Sequence, residues 1–160
     1  MDSHSLKEAF QALLDTAADA ASALPPSTAE WSFAEVLAHV SLVTAATIGT
    51  VAAVSSGIPA TYDNLAAQDA GTLQRVISRI GSPVEMRERI RQQADALCLL
   101  VSSVGSPELD TAVPTLLVSH GTTLVEQPLA LRDIIGGLVE VELPGHTQQL
   151  RALLPRPANA

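Results

Sequence analysis

The stretch from Val36 to Val54 carries no charged side chain, and it constrains the fold more than any other part of the chain. Its length approaches the ~20 residues that a membrane-spanning helix needs. It also contains His39 and Ser41, and no Lys or Arg flanks it to set a membrane topology. We therefore expect a buried central helix and no membrane partner.

The composition favours a helical core around this stretch. Of 160 residues, 47% are hydrophobic but only 2% are aromatic, so Ala, Leu and Val must fill the interior. Ala and Leu lead the helix propensity scale, whereas strands favour aromatic and β-branched side chains. The length fits one domain, which we expect over residues 1–155, with a tail over 156–160.

Helix boundaries follow from capping and stop signals. Ser32 and Glu35 are spaced as a capping box, Ser82-Pro83 opens another helix, and Pro25-Pro26 stops the first. Apolar residues at three-and-four spacing predict four long helices and a shorter one before Gly81. The predicted long helices cover 5–24, 32–57, 83–105 and 129–154, and the short one covers 73–80.

Short β-type runs, TLLVS and TTLVE, lie on either side of His120-Gly121. They predict a hairpin or an irregular extended loop. The expected fold class is therefore all-α, a four-helix bundle with a long connection that contains a short extended or hairpin segment before the last helix.

The charge balance excludes some partners. The chain contains nine Lys and Arg and 17 Asp and Glu, which gives a formal net charge of -8, and it has no run of basic residues. Nucleic acids and anionic membrane surfaces are disfavoured, because both require positive charge. Cys98 has no second cysteine to pair with, and the N-terminal residues do not resemble a signal peptide, so we expect a cytoplasmic protein.

Three polar residues lie on stripes that should face the core. His39 shares a helix face with Val36 and Val43, and Glu142 and His146 continue the inward stripe of the last helix. A buried carboxylate must be protonated, paired with a cation or bound to a metal. Two imidazoles and one carboxylate suit Zn²⁺, with Ni²⁺ or Fe²⁺ as alternatives, and three protein ligands leave a coordination position open.

A simpler interpretation also fits the periodicity. His39 could be a core histidine bonded to a backbone carbonyl, and Glu142 and His146 could be an ordinary i,i+4 pair. Pro144 lies between the last two candidates and lacks the backbone donor that a helix interior needs. We expect it either to kink the helix, which keeps His146 near Glu142, or to break it, which disrupts the site.

The segments WSFAEVLAHV at 31–40 and ELPGHTQQL at 142–150 together resemble the ligand motifs of the DinB-like metal-binding bundles. They are most similar to the N-terminal domain of the mycothiol-dependent maleylpyruvate isomerases. The resemblance implies that His39, Glu142 and His146 bind a metal and that a low-molecular-weight thiol is the cosubstrate. The isomerase has Asp where this chain has Gln149, so the resemblance implies thiol chemistry rather than maleylpyruvate isomerisation itself.

Three functions remain open from these observations. The first is a metal-dependent thiol S-transferase or isomerase-like enzyme that acts on a small molecule. The second is a non-catalytic bundle that binds a metal or a small molecule. The third is a structural dimer with a decayed metal site. We expect a homodimer, because the uncharged second helix has more apolar surface than one small bundle readily covers.

Other candidates are given structural roles. Cys98 is expected to be a buried core thiol, and Trp31 to pack over the end of the bundle. His4 and His120 are expected to be solvated, and the arginines near residue 90 to form a solvated face. Ser119-His120-Gly121 does not resemble the nucleophile elbow of a hydrolase.

Overall fold

The computed structural model describes residues 3–21 and 31–154. Within these ranges the chain is mostly helical with a small sheet, so the expected all-α class is confirmed only in outline. The expected stop of the first helix at Pro25-Pro26 and the tail over 156–160 lie outside the described residues. The helices are α1 (Ser3–Ala21), α2 (Phe33–Ser55), α3 (Leu65–Gln68), α4 (Ala70–Ile80), α5 (Pro83–Ser103), α6 (Ser106–Leu109), α7 (Leu131–Gly137) and α8 (Leu143–Ala152), with a π-helical turn, Leu138–Glu142, between the last two.

The capping signals confirm the predicted starts of the long central helices. The side chain of Ser32 accepts a hydrogen bond from the backbone N–H of Glu35, and the Glu35 carboxylate accepts one from the backbone N–H of Ser32. The side chain of Ser82 likewise accepts a hydrogen bond from the backbone N–H of Glu85 at the start of α5, with Pro83 in the first turn. Gly81 ends α4 with a φ of 88°, a backbone conformation that favours glycine.

The long helices pack against one another around an aliphatic core. Helix α1 contacts α5 and α8, and α2 contacts α5 along much of its length. The largest fully buried side chains come from all of these helices: Leu6, Phe10, Leu13, Leu37, Ile90, Leu97, Leu131, Ile135, Leu143 and Leu150. This packing places α2, which carries His39, against the last helical segment, which carries Glu142 and His146. This segment consists of α7, the π-helical turn and α8.

Helix α2 is the single described helix that is long and apolar enough to cross a membrane. Of its most apolar 18-residue window, 61% is buried inside the protein, as the sequence led us to expect for a central helix. Much of the apolar surface on which the homodimer was predicted is therefore covered within one chain. The homodimer stays a prediction.

The hairpin prediction is confirmed, and a third strand joins it. Strands β2 (Ala112–Ser119) and β3 (Thr122–Ala130) pair antiparallel, and β1 (Tyr62–Asp63) pairs parallel with β2. His120 and Gly121 have φ of 51° and 75°, and positive φ at both central residues is what a type I′ turn requires. The sequence did not indicate β1, because two residues show no periodicity.

Pro144 neither breaks nor ends the last helical segment. The π-helical turn comes immediately before it, and the backbone N–H of Leu143 donates to the carbonyl of Leu138, one residue further back than in an α-helix. The wider turn accommodates the ring and the missing donor, which otherwise disfavour proline in a helix interior. The chain therefore continues as a helix through Glu142 and His146.

Candidate metal centre

His39 is held in one orientation inside the protein. It lies on α2 with 1% of its surface exposed, and its Nδ1 is 2.8 Å from the backbone carbonyl oxygen of Ala67 on α3. A carbonyl can only accept a hydrogen bond, so Nδ1 must carry the proton and donate. Nε2 then faces the opposite direction, 2.6 Å from Oε1 of Glu142.

His146 approaches the same carboxylate oxygen from the other side. Its Nε2 is 3.2 Å from Oε1 of Glu142, and its Nδ1 is 2.9 Å from Oε1 of Gln149. The amide oxygen of Gln149 accepts, so Nδ1 of His146 also donates. Glu142 and His146 lie one helical turn apart, which gives both side chains the same direction.

These contacts bring three electron-pair donors together. With Nδ1 occupied as a donor on both imidazoles, a ring without a second proton directs the lone pair of Nε2 toward the Glu142 oxygen. The three ligand atoms lie within 4.8 Å of one another. Lone pairs that face each other repel unless a cation lies among them. The set of His39, Glu142 and His146 could hold a metal ion, and its chemistry fits a divalent one.

The electrostatics of Glu142 match this arrangement. An imidazole that carries a second proton, on Nε2, donates it to Oε1 of Glu142. Burial opposes ionisation, but these contacts with His146 and His39 outweigh it and hold the pKa of the carboxyl well below its ordinary value. The side chain is 31% exposed, so it can be reached from solvent. The carboxylate is therefore available as a charged ligand.

Both interpretations of His39 hold in part. The imidazole does donate to a backbone carbonyl, as the simpler interpretation expected, but this bond leaves Nε2 directed at Glu142. Glu142 and His146 likewise form an i,i+4 pair and also meet His39. The structure brings together all three residues that the sequence singled out.

Trp31 has contacts that the sequence did not predict. Its ring lies 4.7 Å from the ring of His39 and stacks on His146 with centroids 6.1 Å apart and an interplanar angle of 5°. Trp31 packs against the core just before the start of α2, and its contacts with the two imidazoles come in addition to the predicted packing. The indole covers the two candidate imidazole ligands and reduces their contact with water.

A cavity of about 580 Å³ adjoins the candidate ligands. Its walls come from α2, β1, the hairpin and the last helical segment. This volume lies in the range of small-molecule sites. Its aliphatic lining side chains are Val43, Leu117, Val118, Leu124, Leu129, Ile134, Leu138 and Val141.

Two lining residues were missed because nothing in their local sequence marks them. Tyr62 on β1 is buried, and its hydroxyl is 3.3 Å from Oγ1 of Thr47. Asn64 binds the backbone N–H and carbonyl of Val118 through its amide, with both distances at 2.9 Å, and so fastens the hairpin over the cavity. Only the pairing of β1 with the hairpin brings these residues to the site.

The other two histidines, His4 and His120, lie outside the candidate metal cluster of His39, Glu142 and His146. His4 is exposed on α1 and lies 3.1 Å from Glu8. His120 is exposed at the hairpin turn, as expected, but it also lines the cavity, and its Nδ1 is 2.8 Å from Oγ of Ser119.

Cys98 and the arginines differ from expectation in detail. Cys98 is half-buried rather than fully buried, and burial raises the pKa of its thiol. Arg89 is exposed, as expected, and also donates to Oγ of Ser41 on α2. Arg87 is half-buried, so the predicted solvated face is wrong for this side chain. Arg91 is exposed and pairs with Glu88.

Comparisons with known proteins do not add to this geometry: no family model matches the chain, and neither curated proteins nor solved structures match it.

Proposed function

We propose that this protein is a metal-dependent enzyme on a DinB-like four-helix bundle, a thiol S-transferase or isomerase-like enzyme that acts on a small molecule. The observation that carries the proposal is the orientation of the two imidazoles. Each has Nδ1 bonded to an acceptor, and each directs Nε2 at the same oxygen of Glu142. Bonds of this kind fix the tautomer of metal-binding histidines.

His39, Glu142 and His146 would hold the metal, for which Zn²⁺ is favoured and Ni²⁺ or Fe²⁺ are alternatives. A bound divalent cation lowers the pKa of a coordinated thiol or water, which is the chemistry that thiol transfer needs at neutral pH. Three protein ligands leave room for one more donor atom. The thiol would be of the mycothiol type, as the two motifs suggest.

The residues of the chain itself would orient the reactants and exclude water. Ala67 and Gln149 keep the imidazoles in the ligating tautomer, and Trp31 covers their faces. The aliphatic cavity beside them would hold the second substrate. A dry site strengthens the electrostatic interactions of a thiolate.

Metal analysis tests the first half of the proposal. Protein purified without a metal-affinity tag should contain about one divalent metal per chain. His39→Ala should remove it, since it deletes one of three ligands. His120→Ala is the matched control, because this histidine lines the same cavity but lies outside the cluster, and it should leave the metal content unchanged. Equal metal content in both variants would reject the site.

Turnover tests the second half. We expect the metal-loaded protein to act on an electrophilic small molecule with mycothiol, and His39→Ala to be inactive. An S-transferase would add the thiol across an electrophilic double bond, forming one C–S bond and consuming one thiol for each product, whereas an isomerase-like enzyme would require the thiol and release it unchanged. Metal binding without turnover of any thiol would favour the non-catalytic binding protein. Absence of metal from the wild-type protein would favour the structural dimer.

A further inference from the structure

The cavity beside the candidate ligands has an unusual distribution of charge. Among the residues that the structure describes, no Lys or Arg lines it, whereas two carboxylates do, those of Asp133 and Glu142. The chain as a whole carries a formal net charge of -8. An anionic group placed in this cavity would meet no Lys or Arg side chain, and burial of an unpaired charge is strongly unfavourable.

A bound metal would not add positive charge along the walls of the cavity. A divalent cation on His39, Glu142 and His146 would supply positive charge at one end of the cavity, where the proposed thiolate sulfur binds. Much of the remaining lining is aliphatic, with Leu117, Leu129 and Ile134 as examples. Besides Asp133, the polar side chains described in the remaining lining include no Lys or Arg: Tyr62, Asn64, Gln68, Ser119, His120 and Gln149. A second negative group on a substrate would therefore have no compensating charge.

Several polar side chains of the lining already have partners within the protein. Both amide atoms of Asn64 bond to the backbone of Val118. The hydroxyl of Thr47 donates to the carbonyl of Val43, so it accepts from the hydroxyl of Tyr62. These hydrogen bonds hold the hairpin and α2 in place, so the groups that form them are already occupied within the protein. The neutral amides of Gln68 and Gln149 also line the cavity and carry no charge that would compensate an anion.

The mouth of the cavity is apolar as well. Leu124 and Val141 both line the cavity, and they are 64% and 69% exposed. Leu124 has no partner on β2, because the register shifts between the Leu117–Val125 and Val118–Thr123 pairs. Such a bulge redirects a side chain out of the regular alternation of a strand. The entrance therefore presents hydrocarbon to an incoming molecule.

We infer that the second substrate, the acceptor of the thiol, is an uncharged and mainly apolar small molecule, and that the cavity discriminates against dicarboxylates. The role of acceptor rests on the proposed function, but the preference itself depends only on the lining. The absence of arginine and lysine from the lining that the structure describes distinguishes this cavity from a site built to bind a dianion through such side chains.

Trp31 provides the measurement, because it is the single tryptophan of the chain and it lines the cavity. Its fluorescence is titrated with octan-1-ol and with suberate, which have eight-carbon chains and differ in charge. We expect octan-1-ol to bind at least about tenfold more tightly than suberate, a difference of ~1.4 kcal/mol. Equal binding, tighter binding of suberate or no binding of octan-1-ol would overturn the inference.

Charge reversal tests the cause of the preference. Asp133 is exposed and lines the cavity, so Asp133→Lys should tighten suberate binding several-fold. Glu140→Lys makes the same charge change on an exposed residue of the same helical segment outside this cavity, and it should have little effect. Equal effects of the two variants would contradict the inference.

The same titration on His39→Ala separates this inference from the proposed function. His39 lines only the metal end of the cavity, and the aliphatic walls and Asp133 are unchanged in that variant, so the preference for octan-1-ol should persist even if the protein binds no metal. A preference that disappears in His39→Ala would show that the metal, rather than the lining, sets it, and would overturn the inference.

Discussion

His39 and Glu142 are 103 residues apart in the chain, yet Nε2 of the imidazole lies 2.6 Å from Oε1 of the carboxylate. This contact joins α2 to the last helical segment at a position where His39 is buried. Since Nδ1 already donates to Ala67, a positive charge, either a proton or a metal ion, must lie between the two residues. Metal binding should therefore compete with protons at this pair.

Glu142→Gln removes the negative charge without changing the size of the side chain. We expect the affinity for Zn²⁺ to fall by at least ~100-fold. Loss of a residue that only hydrogen-bonds to a metal ligand already lowers metal affinity by up to about 100-fold, and Glu142 is a proposed ligand itself. Competition with a chromogenic chelator measures it. Glu140→Gln, two residues earlier and exposed, is the control and should bind as the wild type does. Wild-type affinity in Glu142→Gln would contradict the assignment of this ligand.

Gln149→Ala tests the partner that orients His146. The variant loses the acceptor 2.9 Å from Nδ1, so the imidazole can change its tautomer and rotate. The expected loss of metal affinity is about 10–100-fold, as for other outer-shell partners. Gln148→Ala is an exposed neighbour of identical chemistry and should leave the affinity unchanged. Equal affinities for the two variants would mean that Gln149 does not support the site.

Pro144→Ala restores a backbone N–H in the last helical segment. We expect the free energy of unfolding to rise, by less than the ~3 kcal/mol cost of an interior proline, because the π-helical turn already absorbs part of it. Metal affinity should change as well, since closing the wider turn rotates Glu142 relative to His146. Pro128→Ala, on an edge strand, controls for removing a proline elsewhere. Higher stability with unchanged affinity would refute the role of His146 as a ligand.

Ser32→Ala removes the side-chain cap of α2. The free energy of unfolding should fall by about 1 kcal/mol at neutral pH, measured by urea denaturation, because a backbone N–H loses its acceptor. Ser102→Ala is the control, since the Ser102 hydroxyl bonds only to a carbonyl within its own helix. A loss no larger than that of the control would show that the cap does not stabilise α2.

The same capping box predicts a pH dependence. Hydrogen bonds from the backbone and side chain of Ser32 lower the pKa of Glu35 below 4.5. The unfolded chain therefore binds this proton first as the pH falls, and the stabilisation from Glu35 is present above pH 4.5 and lost below it. The difference in unfolding free energy between wild type and Glu35→Gln should be constant near neutral pH and shrink under acid. If the difference in unfolding free energy stayed constant down to the pKa of Glu35 in the folded protein, this prediction would be contradicted.

Local signals account for what the sequence could predict. The capping box at Ser32, the Ser82-Pro83 start and Gly81 act within a few residues, so the starts of α2 and α5 and the end of α4 could be predicted closely. The start of α4 at Ala70, capped by Asp69, lies three residues before the predicted one. His120-Gly121 marked the hairpin in the same way, because few residue types accept positive φ at two successive positions. The π-helical turn was not predicted, since it results from a compromise between Pro144 and the packing on both sides of it.

The sequence by itself determined which side chains face inward, because a helix repeats every 3.6 residues and places His39, Glu142 and His146 on apolar stripes. Periodicity does not say at what height one helix lies beside another. Only the tertiary structure decided that His39 meets Glu142, that the carbonyl of Ala67 holds the imidazole, and that Trp31 covers it. Those contacts depend on the packing of whole helices and on the two-residue strand β1, which no local pattern encodes.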